Sequence, residues 1–327
     1  RGVIAAEPRL SNRIIPADPA NPDSRENVEP QAGQVWFPDS AYKTATAIED
    51  FNRGENLPLI IFANWRGFSG GTRDMYSEVL KFGAMIVDGL RTYKHPVFIY
   101  LPPNGELRGG AWVVVDPTIN EQMMEMYADK ESRGGILEPP GICEVKFRRA
   151  DQIKTMHRLD EKLIELTADL AASEDNDEAQ GIKLAISKRE DMLLPLYLQI
   201  AHEFADLHDR AGRMKAKGVI EDVLSWKKSR TFFYWRTQRK LGELQIRKKL
   251  MAADSRLSWA DATAAMTEMA ACDWTDDKAV CAWLKDSSKA VDDAISKMQY
   301  ESISKDVEDK LDALSSDQRK DLLSRLR

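Results

Sequence analysis

Two glycine-rich segments hold the residue types best suited to chemistry. The first runs Asn64-Trp65-Arg66-Gly67-Phe68-Ser69-Gly70-Gly71-Thr72-Arg73, and the second runs Asn104-Gly105-Glu106-Leu107-Arg108-Gly109-Gly110-Ala111-Trp112. Paired glycines lack Cβ, so a backbone there comes close to a ligand and aims its N–H groups at it. A helix starting just beyond adds partial positive charge. Two such loops make two oxyanion holes, which suits an enolate stabilised by fixed donors rather than by a named acid or base. A tight turn alone would satisfy a single Gly-Gly pair. Arg66 and Arg108 lie inside the loops, where a guanidinium grips a carboxylate through two parallel hydrogen bonds. Pairing with the local acids Asp74 or Glu106 is the surface alternative.

Other chemistries lack equipment. His95 precedes Pro96, and His157, His202 and His208 fall on expected helices without metal-ligand spacing. His202 and His208 are six residues apart and point to different faces, so no metal site is expected. The GxSxG, Walker and GxGxxG signatures are absent. Cys143 has no nearby base and reads as a structural thiol. A net charge of -6 argues against broad nucleic-acid binding. The longest apolar runs, such as 57–63 and 97–101, fall far short of the roughly 20 residues that span a bilayer, so no transmembrane helix is expected. Three cysteines without a CxxC pair suit a reducing compartment, and the chain reads as cytoplasmic. Its start at Arg1 has neither an initiator Met nor a signal-peptide layout, and reads as a piece cut from a longer chain.

The elements that must position the loops are short apolar runs alternating with helical stretches. Residues 57–63, 95–101 and 111–115 predict strands, and 39–53 and 74–93 predict helices opened by Pro38-Asp39-Ser40 and Thr72 to Asp74. Strands separated by helices imply α/β architecture. Prolines at 16, 19, 22 and 30 predict a surface loop over 16–30. Beyond 150 the hydrophobic period becomes helical: Leu159, Leu163, Leu166 and Leu170, then Leu193, Tyr197, Ile200, Phe204 and Leu207, with a polar turn at 173–177. That pattern predicts an antiparallel helical hairpin. Residues 213–249 carry twelve Lys or Arg against three Asp or Glu, with Phe232-Phe233-Tyr234-Trp235 in the middle. A solvated basic face, an anionic partner and single-stranded nucleic acid are its possible readings, and some of the four aromatics must be core. Short helices follow from Ser258, ending in a stripe of Leu311, Leu314, Leu322 and Leu326. The resulting division is 1–150, 151–257 and 258–327.

The two loops, with the run Gly105 to Pro117, closely resemble the carboxyltransferase region of eukaryotic multidomain acetyl-CoA carboxylase. The likeness continues through Glu125-Met-Tyr-Ala-Asp129, Gly135-Ile-Leu-Glu-Pro139, Lys146-Phe-Arg-Arg149 and Phe204-Ala-Asp-Leu-His-Asp-Arg210, and back to Ile15-Pro-Ala-Asp-Pro-Ala-Asn21 and Gly33-Gln-Val-Trp36. It covers about residues 2–250, weakens after about 254, and carries no function onto 258–327. The resemblance implies a crotonase-like ββα superhelix over 1–150, completed by the helical hairpin and basic helix of 151–257. It implies the second half of a carboxyltransferase, with the first half, which carries most of the coenzyme A site, on a separate segment. The implied reaction moves a carboxyl group from carboxybiotin to acetyl-CoA, giving malonyl-CoA for fatty acid synthesis. Biotin on its carrier domain and a coenzyme A thioester are the implied cofactor and substrate. The implied assembly is a homodimer whose active site lies between the first half of one subunit and the second half of the other. Alone, this chain is expected to show little transfer.

Carried over residue by residue, Arg66 matches the arginine that holds the transferable carboxylate. Gly70 with Gly71, and Gly109 with Gly110, match loops facing the thioester enolate and the biotin urea oxygen, without fixing which serves which. Phe68, Trp112 and Val113 match the cavity wall at the dimer interface where herbicide-type inhibitors bind; Ser69 and Arg108 stand beside them in the same substrate-binding set. The rivals are a carboxyltransferase for another acyl-CoA such as propionyl-CoA, a crotonase-type hydratase needing a Glu pair where the loops offer only Glu106, and a non-catalytic helical interaction module.

Overall fold

The computed structural model describes residues 1–270, 272–286 and 288–325, so Leu326 of the terminal leucine stripe lies outside the described residues. The chain divides into two compact units, 1–227 and 228–327. The boundaries expected at 150 and 257 do not coincide with this division.

The first unit is built from a repeated strand–strand–helix turn. Strand β1 (Gly2–Ala5) is followed by a hairpin of β2 (Ser11–Ile15) and β3 (Asn27–Gln31), then by β4 (Val35–Trp36) and helix α1 (Pro38–Glu49). The second turn is β5 (Leu59–Phe62), β6 (Gly67–Phe68), α2 (Thr72–Tyr76) and α3 (Val79–Arg91). The third is β7 (Val97–Leu101), β8 (Glu106–Arg108) and α4 (Gly109–Val115). The fourth is β9 (Met124–Ala128), β10 (Arg133–Gly135) and α5 (Pro139–Lys146). The first strands of the four turns pair in parallel in the order β1-β5-β7-β9, with β11 (Asp222–Val223) at the far edge. Gly2, Leu59, Val97 and Met124 are in register across them. The short second strands form a parallel layer of their own: β4 pairs with β6, a bridge joins Trp65 to Leu107, and β8 pairs with β10. This is the ββα superhelix, and each step along it carries the chain one strand over in both layers.

Burial explains why β5 and β7 were legible. All five residues of β7 are buried, as a continuous apolar run in a covered parallel sheet is, whereas β9 is equally buried but interrupted by Glu125 and is not among the expected strands. Helix α1 starts on Pro38 behind a capping box in which the Ser40 hydroxyl accepts the Phe37 N–H at 2.9 Å. It buries Ala41, Ala45 and Ile48 on one face. A Cβ on Gly89 of α3 would lie 2.9 Å from Ile48, so these helices meet at van der Waals contact.

Three expectations are corrected. Residues 111–115 form part of helix α4, not a strand, because Ala111, Val114 and Val115 are one helical face turned into the core; packing overrides the strand preference of three valines. Residues 16–30 are not all loop, since Pro30 pairs with Asn12 within the β2–β3 hairpin. The prolines permit this because a two-stranded ribbon consists entirely of edges. The expected helix 74–93 is two helices, broken where Glu78 adopts a left-handed conformation at φ 65°.

Helices α6 (Arg149–Leu159), α7 (Glu161–Ala172), α8 (Asn176–Asp209) and α9 (Ala211–Ala216) complete the first unit. The expected hairpin is α7 against α8: Arg189 reaches back to Asp160 at 2.7 Å and Glu190 to His157 at 2.7 Å, fixing an antiparallel run. Helix α10 (Trp226–Ala253) opens just before the boundary between the units. The second unit continues through α11 (Trp259–Met269), α12 (Asp277–Asp286), α13 (Ser288–Asp312) and α14 (Ser316–Arg325). Its core includes Leu250, Ala262, Met266 and Trp283. Part of the basic run turns inward here: Arg239 and Arg247 flank buried Glu243 at 2.6 and 2.9 Å, and Arg239 also holds Asp277 at 2.9 Å. The four aromatics divide as expected, with Phe233 buried and Tyr234 half exposed.

Candidate active site

Both glycine loops leave the parallel sheet at equivalent points, after β5 and after β7. In the first, Trp65 is buried and stacks on Trp36 at 4.2 Å. The Arg66 N–H donates to the Gln34 carbonyl at 2.7 Å and the Ser69 N–H to the Trp36 carbonyl at 2.8 Å. Those two amides are therefore spent on holding the loop. The Ser69 hydroxyl hydrogen-bonds the Asp74 carboxylate, which is itself buried. Gly70 and Gly71 are exposed and lead into α2.

The second loop is tied to the first. The Arg108 N–H donates to the Trp65 carbonyl at 2.9 Å. The Asn64 side-chain oxygen accepts the Glu106 N–H at 2.9 Å and the Gln34 amide at 2.5 Å, so one asparagine ties both loops to the residue before β4. Gly109 has φ 49° and opens α4, whose first amides lack intrahelical acceptors by position and receive no cap from the Arg108 side chain. A Cβ on Gly110 would sit 3.4 Å from the Phe68 ring, so the phenyl group of one loop lies against the backbone of the other.

A third segment closes the arrangement. The Ile136 carbonyl lies 3.3 Å from where a Gly109 Cβ would stand, and the Leu137 carbonyl accepts from Arg108 at 3.2 Å. Glu138 ion-pairs with Arg66. Sequence reasoning did not single out Glu138 or Asn64; Glu138 lies 72 residues from its partner, and no local pattern signals that contact.

The expected site residues thus separate. Gly109, Trp112 and Val113 line one open cavity of about 410 Å³ together with Ile136, Met214 and Val219. The Trp112 indole N–H is fixed to Asp116 at 2.8 Å, and Val113 is 65% exposed. Phe68 and Gly110 meet beside this cavity. Gly70 and Gly71 do not line it; they are an open edge joined to it through Ser69 and Phe68. Gly67 and Gly109, not Gly70 or Gly71, are the loop glycines at positive φ, and a Cβ on Gly70 would meet nothing within 4 Å. Arg108 is turned inward and leaves the candidate binding set. Its side chain is 4% exposed and contacts Asp209 at 2.5 Å and Glu106 at 3.1 Å. Burial would favour loss of its proton, but the two carboxylates outweigh this and raise its pKa. A larger apolar groove of about 840 Å³ between α5, α6 and α8 holds none of the expected residues.

The fourth turn is braced to α8 by Asp206, which takes Arg133 at 2.5 Å and Arg210 at 2.9 Å. The Arg133 hydrogen bond, against the opposing effect of burial, holds the Asp206 carboxyl below its ordinary 3.8. A depressed carboxyl pKa stabilises the fold above the unfolded value and loses that contribution as pH falls through the folded value. Asp206→Asn is therefore expected to flatten the fall of Tm below about pH 4; an unchanged acid limb in a pH series of thermal melts would place the acid sensitivity elsewhere.

Residues 1–241 match the family model described as the carboxyl transferase domain. The chain is 50% identical over 313 residues to an acetyl-CoA carboxylase of Saccharomyces cerevisiae, covering 95% of this chain and 14% of that protein. It is 60% identical over 246 residues to an acetyl-CoA carboxylase of Dictyostelium discoideum, covering 74% of this chain and 11% of that protein. It therefore spans between about a tenth and a seventh of these relatives' length. Among solved structures, the beta subunit of Pseudomonas aeruginosa geranyl-CoA carboxylase aligns with 69% of this chain and 35% of its own, at 13% identity and a TM-score of 0.43.

Proposed function

The chain belongs to the carboxyl transferase domain family, and from that membership we propose that it is the second half of the carboxyltransferase of an acetyl-CoA carboxylase. The carrying observation is the half-exposed Arg66 guanidinium in the first glycine loop, whose Phe68 ring lies against the backbone of the second. A reachable guanidinium suits a carboxylate, and amides at a helix start suit a carbonyl oxygen gaining charge. Biotin on its carrier domain, when bound, would supply the carboxyl group for the thioester methyl carbon and, in exchange, a nitrogen able to take the methyl proton. Arg66 holds the carboxylate during transfer. Gly70 and Gly71 on one loop, and Gly109 and Gly110 on the other, offer amides to the thioester oxygen and the urea oxygen. Phe68, Trp112 and Val113 form an apolar wall that excludes water.

The partners in this reading are the first carboxyltransferase half, a second subunit across the site, and the biotin carrier domain. Herbicide-type inhibitors would rest on the same wall. Free Cys143, Cys272 and Cys281 support a reducing compartment, the cytoplasm. Among the described residues, no helix is long and apolar enough to cross a membrane.

The test is Arg66→Ala in enzyme assembled from this chain and the complementary half. A charge-assisted bond contributes about 1.5 to 3 kcal/mol, so kcat/KM for malonyl-CoA formation should fall about 10- to 100-fold. Arg66→Lys should recover only part, since lysine lacks the planar fork. Unchanged kinetics in a folded Arg66→Ala enzyme would reject the clamp, and faster carboxylation of propionyl-CoA than of acetyl-CoA would reject the substrate.

A further inference from the structure

Arg66 and Arg108 occupy matching places, each directly before a glycine of positive φ, yet their ion pairs differ in kind. The Arg108 pair is sealed, with side chains 4% and 12% exposed at Arg108 and Asp209. In the Arg66 pair the side chains are 48% and 37% exposed. We propose that Glu138 is a resident counter-ion that keeps Arg66 aimed for the transferable carboxylate and gives way to it. This rests on the carboxyltransferase reading of the site.

Three features carry the proposal. Arg66 Nε and a terminal guanidinium nitrogen both contact the one oxygen Oε1 of Glu138, with Nε at 2.5 Å, so one oxygen occupies the donors that a ligand carboxylate would use. The residues preceding Glu138 are fixed by the second loop, through Leu137 to Arg108 and Ile136 against Gly109. Glu138 therefore reaches Arg66 from a segment anchored to the second loop, and the contact ties the guanidinium of the first loop to that segment. Finally, the displaced carboxylate has somewhere to go. Glu138 is the N-cap of α5 but makes no side-chain cap bond, and Pro139 and Pro140 supply no N–H. The Gly141 N–H and the positive end of α5 remain for it.

An exposed pair is weak enough to exchange, worth about fivefold in an equilibrium at most. The consequence is a tempered grip on carboxylates. A carboxylated ligand replaces the bond it breaks, whereas an uncarboxylated one leaves Arg66 with Glu138. Glu138 is thus a positioning residue that competes with carboxylated ligands alone, loosening the hold on carboxybiotin and malonyl-CoA while leaving free biotin and acetyl-CoA unaffected.

Two measurements test this. In the 327-residue chain, phenylglyoxal modification of Arg66 is followed by peptide mass spectrometry, with malonate as the carboxylate probe. Glu138→Gln should speed modification and tighten malonate protection by about two- to fivefold, while Glu138→Asp, which keeps the charge, should stay within twofold of the native chain. In the assembled enzyme Glu138→Gln should lower KM for malonyl-CoA by a similar factor. Unchanged Arg66 reactivity and unchanged malonate protection in a folded Glu138→Gln chain would overturn the proposal, and a kcat loss beyond tenfold at constant KM would show that Glu138 acts in the chemistry instead. Neither result touches the carboxyltransferase reading, whose Arg66 clamp is tested separately and falls if Arg66→Ala leaves transfer intact.

Discussion

Gly70→Val is expected to fold like the native chain yet lower kcat by about 100- to 1000-fold in the assembled carboxyltransferase, because its side chain would hold the ligand oxygen off the loop amides and so forfeit an oxyanion donor. The native chain gives no steric reason for harm. Gly70 is exposed, lies outside the left-handed region, and would place a Cβ with nothing within 4 Å. Any loss therefore reports crowding of a ligand that approaches the loop, not damage to the loop. Ser69→Ala serves as the counterpart. Its hydroxyl binds buried Asp74 and its N–H binds the Trp36 carbonyl, so both polar groups are structural. Removing the hydroxyl should cost less than about tenfold in kcat, since the net contribution of one hydrogen bond is about 1 kcal/mol. A nucleophilic Ser69 would instead make Ser69→Ala inactive and let an acyl-enzyme accumulate in the native enzyme. Steady-state rates of both variants, with matching circular dichroism, decide between amide and hydroxyl chemistry. A dead Ser69→Ala beside an active Gly70→Val would reject the oxyanion hole.

What was legible depended on whether the deciding contact was local. Strands β5 and β7 announced themselves as uninterrupted apolar runs because both faces are covered. The second-layer strands β6, β8 and β10 have only two or three residues each, too few to show a period. Helix α4 hid inside three consecutive valines, where a buried helix and a buried strand have the same composition. The glycine loops stood out because glycine pairs are themselves the signal. The fates of the two arginines were not legible, since each sits before a glycine in the same local setting. Asp209 lies 101 residues beyond Arg108 and Glu138 lies 72 beyond Arg66, and only the superhelix and the return of α8 bring them there.

Arg108 should reveal its structural role through stability before activity. Arg108→Ala is expected to destabilise the first unit by about 3 to 5 kcal/mol, because it breaks a buried pair and leaves one charge without its partner. Asp209 is the charge left behind, its side chain 12% exposed. The Leu137 carbonyl also loses a donor, and the anchor of the segment preceding Glu138 goes with it. Burial already raises the Asp209 carboxyl pKa above its ordinary 3.8, against the downward pull of Arg108. Without that pull, nearby Asp206 and Glu106 add to the rise. A carboxyl whose folded pKa is raised binds protons more tightly in the folded state, so its folded state gains at low pH and loses as pH rises from the unfolded value through the folded one. The Arg108→Ala defect should therefore shrink in acid and grow toward neutrality, the reverse of the Asp206 brace. Replacing both partners, as in Arg108→Met with Asp209→Leu, should recover much of the loss because no unpaired charge remains. Urea unfolding of the two single variants and the double variant across pH measures this cycle. A single variant within about 1 kcal/mol of the native chain, or a double variant no better than Arg108→Ala, would mean that the pair does not hold the second loop in place.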